Sequence, residues 1–369
     1  MRAADRLRQL LLGLACGLLA ATVFAGESCR IGFDIGSSGI RAGVSDSSVT
    51  TRTDIDFIGP LLAGGGLDET ATIAALRELP KQGGFPTDCV RVGGGFSAWR
   101  IALREDPDKL AGILARIEAA SGVAVLVLPQ NVEGRYGYFA ARQLLGDKLK
   151  TSHVLDIGGG SMQIAGEHWS FGDDLGQKLW HRALCEKVRM TSICVLQPMS
   201  VADLAAARTL LAEKLEGVRA ALPPPVSMTA ISPPVTRGVL PAVERLFGKD
   251  AGHDAIQRAR LTAAIGETAE LTLEETEKRF AIPEKYAMYL LSDMLLVEGV
   301  LQATGGEALQ VSEIDLTNVP GLLADDHAFA WSGHYGCYLQ RLHQAGVAAY
   351  ASDPQRCGDP ASVVRTVQP

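Results

Sequence analysis

The chain has 369 residues, 47% of them apolar and 21% charged, a balance that excludes a disordered or fibrous polypeptide and suits a globular protein of about two domains. Its formal charge is −7, and taking away an N-terminal segment that holds Arg2, Arg6 and Arg8 against Asp5 lowers it to −9. That argues against nonspecific binding to nucleic acid or anionic lipid, while an anionic substrate stays open because backbone N–H groups and a metal can bind phosphate without basic side chains.

The first residues combine this basic stretch with an apolar run over 10–24 and small or short residues at Val23 and Ala25, the layout of a cleaved secretory signal. Cleavage is expected after Ala25, giving a signal at 1–25 and a periplasmic or secreted product without a membrane anchor. A retained anchor is the alternative, but about fifteen apolar residues are short for a span. Losing the signal removes Cys16 and leaves six cysteines, an even number that suggests three disulfides in an exported protein. Proximity in the chain favours Cys185 with Cys194 and Cys337 with Cys357, which leaves Cys29 for Cys89. Metal ligation competes, without a CxxC pair in its favour, and the seven histidines show no ligand spacing.

In chain order, residues 29–33 read as a buried strand running into Asp34-Ile35-Gly36-Ser37-Ser38-Gly39, with a return strand over 42–44. A helix is expected over 69–79 and a strand over 90–92. Asp106, followed by Pro107, caps a helix to Ala120 in which Leu110, Ile113, Leu114 and Ile117 recur at helical spacing. Residues 123–128 form a continuous apolar strand and 134–145 a helix. A strand over 153–155 leads into Asp156-Ile157-Gly158-Gly159-Gly160-Ser161 and returns over 162–167. Downstream, helices over 201–221, 256–264, 273–280 and 283–303 alternate with strands over 228–231 and 309–311. Expected units are residues 26–145, residues 146–325, and a tail over 326–369 stapled by the last cysteine pair.

The second strand and Asp-x-Gly turn repeat the first, Asp156 lying 122 residues after Asp34, which suggests a duplicated α/β fold with a cleft between its halves. Glycines after an acidic residue let backbone N–H groups converge on an anion, and the carboxylate at the strand end can hold a hydrated cation. Asp34 and Asp156 are therefore candidate ligands of a cation, although capping the following turn is the plainer role. Gly36, Ser37, Ser38, Gly39, Gly158, Gly159, Gly160 and Ser161 are candidate phosphate-binding residues. Arg41 and Arg100 add guanidinium groups suited to phosphate oxygens, with surface salt bridges as the alternative.

These segments resemble the two phosphate loops of the exopolyphosphatase and guanosine-pentaphosphate phosphatase family, within the actin-like ATPase superfamily. Ser97-Ala98-Trp99-Arg100 is similar to that family's Ser-Ala-x-Arg and Glu133-Gly134-Arg135 to its Glu-Ala-Arg, in the same order. The similarity runs from Cys29 to about Leu323. It implies an actin-like (ribonuclease H-like) fold of two domains with an interdomain cleft, Mg²⁺ as cofactor, hydrolysis of terminal phosphoanhydride bonds, and Glu133 as the base for the attacking water. From the residues alone, Glu133 also reads as a solvated charge favoured at a helix start.

The pattern departs from that family at Ser38, Gly39, Phe96, Met162 and Gln163. Ser232-Pro233-Pro234 stands where the superfamily tends to place a glycine-rich turn, and its prolines remove two N–H donors. Glu133-Gly134-Arg135-Tyr136-Gly137-Tyr138 and Ser161-Met162-Gln163-Ile164 are also similar to segments of the secreted apyrases, which carry disulfides. Inorganic polyphosphate is the first expected substrate, a nucleoside tri- or diphosphate the second, and a catalytically silent phosphate sensor the third possibility. Nucleic acid is not an expected partner, and the oligomeric state is open, a homodimer included.

Overall fold

The computed structural model describes residues 29–222, 225–249, 254–312 and 318–357; the expected signal at 1–25 lies outside them. β1 (Arg30–Ile35) is buried at every position after the first, and it pairs antiparallel with β2 (Gly39–Val44) and parallel with β4 (Val90–Gly95). β3 (Thr50–Asp54) extends the hairpin on its outer edge and β5 (Ala124–Val127) closes the other side, giving the order β3-β2-β1-β4-β5. Between β3 and β4 run α1 (Ile58–Leu62) and α2 (Glu69–Gln82). α3 (Ser97–Glu105) follows β4 directly, and α4 (Pro107–Ser121) starts at the expected cap, with Asp106 accepting from the Lys109 amide. α5 (Gln130–Leu145) begins four residues before the expected helix, which places Glu133 in its first turn.

The second half repeats this plan. β6 (His153–Ile157), β7 (Met162–Gly166) and β8 (Ser170–Asp173) form the antiparallel meander, and β9 (Met228–Ala230) and β11 (Ala308–Val311) add parallel to it in the order β10-β11-β9-β6-β7-β8, with β10 (Ala255–Gln257) at the far edge. The order β8-β7-β6-β9-β11 mirrors β3-β2-β1-β4-β5, so the duplication read from two short turns extends to both sheets. α6 (Gln177–Lys187) comes next after β8, followed by α7 (Val201–Lys214) and α8 (Glu216–Ala221). The expected single helix over 201–221 breaks at Leu215, whose φ of −90° and ψ of 9° leave the helical region. A π-helical turn, Val235–Val239, precedes α9 (Leu240–Phe247). α10 (Arg258–Glu270), α11 (Leu273–Phe280) and α12 (Glu284–Thr304) complete the half, α12 burying Leu290, Leu291, Met294 and Leu295 in its core.

After β11 the chain returns to the first half. α13 (Val319–Leu323), α14 (Asp326–Ala330), the 3₁₀ turn Trp331–His334 and α15 (Tyr335–Ala345) contribute Leu322, Phe329, Trp331, Tyr335 and Tyr338 to the core of β1, β4 and β5. The described part of the segment expected as a stapled tail, 326–357, thus packs on the first core. Its aromatic hydroxyls serve the backbone of β5: Tyr338 accepts from the Val127 amide at 2.7 Å and Tyr335 donates to the Val125 carbonyl at 2.9 Å. Tyr338→Phe leaves a buried N–H without its partner, and urea unfolding is expected to show a loss of about 1–3 kcal/mol.

The six cysteines form Cys29–Cys89, Cys185–Cys194 and Cys337–Cys357, as chain proximity suggests. The first ties the entry of β1 to that of β4, and the third joins α15 to the last described turn. No helix of the described residues is long and apolar enough to cross a membrane.

Candidate active site

Both Asp-x-Gly turns lie at the ends of the central strands, and both close in the same way. The Gly36 amide donates to the Gly39 carbonyl at 3.0 Å, and the Gly158 amide to the Ser161 carbonyl at 2.8 Å. Those two amides are therefore used within the turns. The amides of Ser37, Ser38, Gly159, Gly160 and Ser161 carry no such bond among the described residues, and of these residues Ser37, Ser38 and Gly159 line the cleft described below. The first turn is anchored by the segment after β3, whose Ile55 and Phe57 amides donate to Ser38 and Ser37 carbonyls. The second sits on the start of α6, with the Gln177 amide on the Gly158 carbonyl and the Lys178 amide on the Gly159 carbonyl.

The turns press together. A Cβ on Gly159 would stand 3.1 Å from the Ser37 Cβ, and one on Gly160 would stand 2.2 Å from the Ser97 Oγ. Glycine is needed here for close approach rather than for an unusual φ. The hydroxyls of Ser37 and Ser97 are buried and have no hydrogen-bond partner among the described residues, so polar groups sit ready at the seam. Phe96 itself belongs to the core, and Ser97 beside it supplies the hydroxyl at this point.

Between the halves is a cleft of ≈ 530 Å³, to which the first half contributes Asp34, Gly36, Ser37, Ser38, Arg41 and Glu133 and the second half Asp156, Gly158 and Gly159. Gly39, Gly160, Ser161 and Arg100 are not among its lining residues. Pro233 and Pro234 of the proline turn singled out in the sequence line it too, and sequence reasoning missed Arg52, Asp54, Asp56, Gln177, Lys178, Arg237, Lys285, Tyr286, Tyr289 and Asn318, which also do. Lys178 meets Asp56 at 2.9 Å across the opening, a link between α6 and the entry to α1. The Ser232 hydroxyl accepts from the Ile157 amide at 2.9 Å, tying the proline turn to the end of β6.

Three carboxylates share the inner cleft. Burial pushes all three pKa values up, that of Asp156 to about 7. Glu133 and Asp34 each raise Asp156 further, and Asp34 raises Glu133. The opposing charges are Arg41, whose guanidinium is 3.7 Å from Asp34, and Arg100, at 2.7 Å from Glu133 Oε2. Asp34 also accepts from the Asn318 amide at 3.2 Å, a partner 284 residues away that no local pattern signals. Arg100 is fully enclosed, donating to the Leu128 carbonyl as well as to Glu133. Its place is behind the carboxylate, not on an incoming anion. Glu133 Oε2 accepts a second bond from Gln163 Nε2 at 3.1 Å.

This donor set fits a hard divalent cation: the buried carboxylate of Asp34 raises the half-buried one of Asp156, and the buried Asn318 Oδ1 lacks a partner among the described residues. The arrangement can hold an anion on backbone amides of both turns, a cation on Asp34 and Asp156, and a water near Glu133.

No protein-family model matches the chain, and no curated protein matches it in sequence. Solved structures do match. The Aquifex aeolicus member of the Ppx/GppA family is 20% identical, covering 80% of this chain and 96% of its own, with a TM-score of 0.61. The type II variant of the Aquifex aeolicus Ppx/GppA phosphatase is 20% identical over 80% of this chain and 98% of that one, at 0.58. An exopolyphosphatase from Cytophaga hutchinsonii is 16% identical over 80% and 96%, at 0.59. The chain shares their two-domain actin-like fold.

Proposed function

We propose that the chain is an exported hydrolase of terminal phosphoanhydride bonds, acting first on inorganic polyphosphate. The observation that carries this reading is the meeting of Asp34, Asp156 and Glu133 in one cleft built by both halves. The fold shared with Ppx/GppA phosphatases and an exopolyphosphatase supports it, and three disulfides suit an exported product.

In this account the free amides of Ser37, Ser38 and Gly159 bind the terminal phosphoryl oxygens, and closure of the halves over them excludes bulk water. Glu133 orients the attacking water in line with the leaving phosphate and accepts its proton. Asp34 and Asp156 would hold Mg²⁺, which when bound offsets charge on the terminal and bridging oxygens. Arg41 at the inner end faces both Asp34 and the anion.

The pH dependence of stability follows. Asp156 has an ordinary value of 3.8 and is pushed up to about 7, mainly by burial and then by Glu133 and Asp34. The folded state therefore keeps a proton that the unfolded chain has released, and stability falls as pH rises between these values. A cation on the ionised pair reverses the penalty. Mg²⁺ is expected to raise Tm clearly at about pH 8 and little at about pH 5.5, a hundredfold excess over Kd being worth about 2.7 kcal/mol; Asp156→Asn removes the difference. Differential scanning calorimetry with and without Mg²⁺ checks it.

A second reading, hydrolysis of nucleoside polyphosphates, is favoured by Tyr286 and Tyr289, which line the outer cleft one helical turn apart and offer rings to a base. Phosphate release from polyphosphate and from ATP, measured on the oxidised protein with Mg²⁺, separates the two. Faster turnover of polyphosphate supports the proposal, and release from ATP alone favours the second reading.

A further inference from the structure

Gln163 lies on β7 directly opposite Asp156 in the hairpin register, the place that Arg41 holds opposite Asp34 in the first hairpin. The duplicated positions have diverged in what they reach. Arg41 faces the aspartate of its own half. Gln163 reaches α5, which packs against β7, its Nε2 at 3.1 Å from Glu133 Oε2 and 3.4 Å from Gln130 Oε1. It is 2% exposed, so these bonds are made out of competition with bulk water.

The contact belongs to a longer network. Gln130 Nε2 donates to Asp174 at 3.0 Å, and Asp174 is also held by Arg104 at 2.5 Å. Gln163 and Asp174 come from the second half, and Gln130, Glu133, Arg100 and Arg104 from the first. Glu133 is thus gripped at one oxygen by donors from both halves, Arg100 and Gln163, while its Oε1 has no hydrogen bond among the described residues. An ionised carboxylate only accepts, which fixes the amide of Gln163 with its NH₂ toward Glu133.

We infer that Gln163 is a positioning residue that, with Arg100, fixes Oε2 of Glu133 so that Oε1 is the atom that takes the proton of the attacking water. The inference rests on the hydrolase reading above. Because one of the two donors comes from the opposite half, the orientation of the base is tied to how the halves meet. A glutamate at position 163 would fill the same space without the donor and would face Glu133, Asp34 and Asp156 with a further negative charge.

The test is a kinetic cycle on the full chain with Mg²⁺, using Gln163→Leu, Gln163→Glu, Glu133→Gln and the Gln163→Leu/Glu133→Gln pair, with near-ultraviolet circular dichroism to establish folding of each. Gln163→Leu is expected to lower kcat about ten- to a hundredfold with KM within about twofold. Gln163→Glu, the same shape, is expected to lose at least as much. In the Glu133→Gln background Gln163→Leu has nothing left to position and should cost less than about twofold. Full activity of Gln163→Glu, a rise in KM with kcat unchanged, or the same loss in both backgrounds overturns the inference and leaves the hydrolase reading standing. A wild-type protein that releases no phosphate from polyphosphate or nucleotide overturns both.

Discussion

Glu133→Gln is expected to lower kcat for phosphate release by about 10²- to 10⁴-fold, with KM for the phosphorylated substrate little changed. The amide keeps the size of the side chain and can still occupy the place between Arg100 and Gln163, but it cannot take a proton. Burial raises the Glu133 pKa and Arg100 acts against that rise, so the acidic limb of the rate profile is expected to reflect this group together with Asp34 and Asp156 as a coupled set. Metal and phosphate binding should survive the change, since neither turn is touched. Phosphate release by the variant equal to that of the wild type sinks the assignment of Glu133. Saturable substrate binding by a wild type that never releases phosphate would instead identify a sensor.

Gly176→Ala should be the most damaging small substitution in the second half. Gly176 has φ −74° and ψ 164°, ordinary for any residue, so the difficulty is space. A Cβ there would stand 2.3 Å from the Ser161 nitrogen and 2.4 Å from the Gly160 carbonyl carbon. These are backbone atoms of the turn itself, and the turn is pinned to α6 through Gln177 and Lys178. It has no side chain to swing aside. The turn must leave its seat, at a cost of about 3 kcal/mol, or roughly 5–10 °C in Tm, and phosphate affinity should fall with it. Gly36→Ala is the control, because its Cβ would meet nothing closer than 3.8 Å, and its stability should stay within about 1 kcal/mol. Equal losses in the two variants would show that crowding at the turn is not what matters.

The turns were legible because an Asp-x-Gly step after an apolar strand is a local signal, and its recurrence implied the duplicated sheets. What the signal could not carry is which amides remain free once Gly36 and Gly158 close their own turns. Arg100 looked like a phosphate ligand from its residue type, whereas its contacts are set by burial against Leu128 and Glu133. β3 escaped notice because Thr50–Asp54 is a polar edge strand with alternate positions exposed, which gives no apolar run to read. Asn318, Lys178 and the tyrosines of α12 reach the cleft by tertiary folding, Asn318 from 284 residues beyond Asp34 and Lys178 from 122 beyond Asp56. The return of 318–357 to the first core likewise has no local mark beyond the aromatic spacing of Trp331, Tyr335 and Tyr338.

The central claim is that the two glycine turns grip one phosphoryl group together. A crystal structure grown with Mg²⁺ and orthophosphate tests it most directly. The account predicts a single anion within hydrogen-bond distance of amides from both turns, with the cation between Asp34 and Asp156. An anion held by one turn alone, or a cation touching only one of the aspartates, would contradict it.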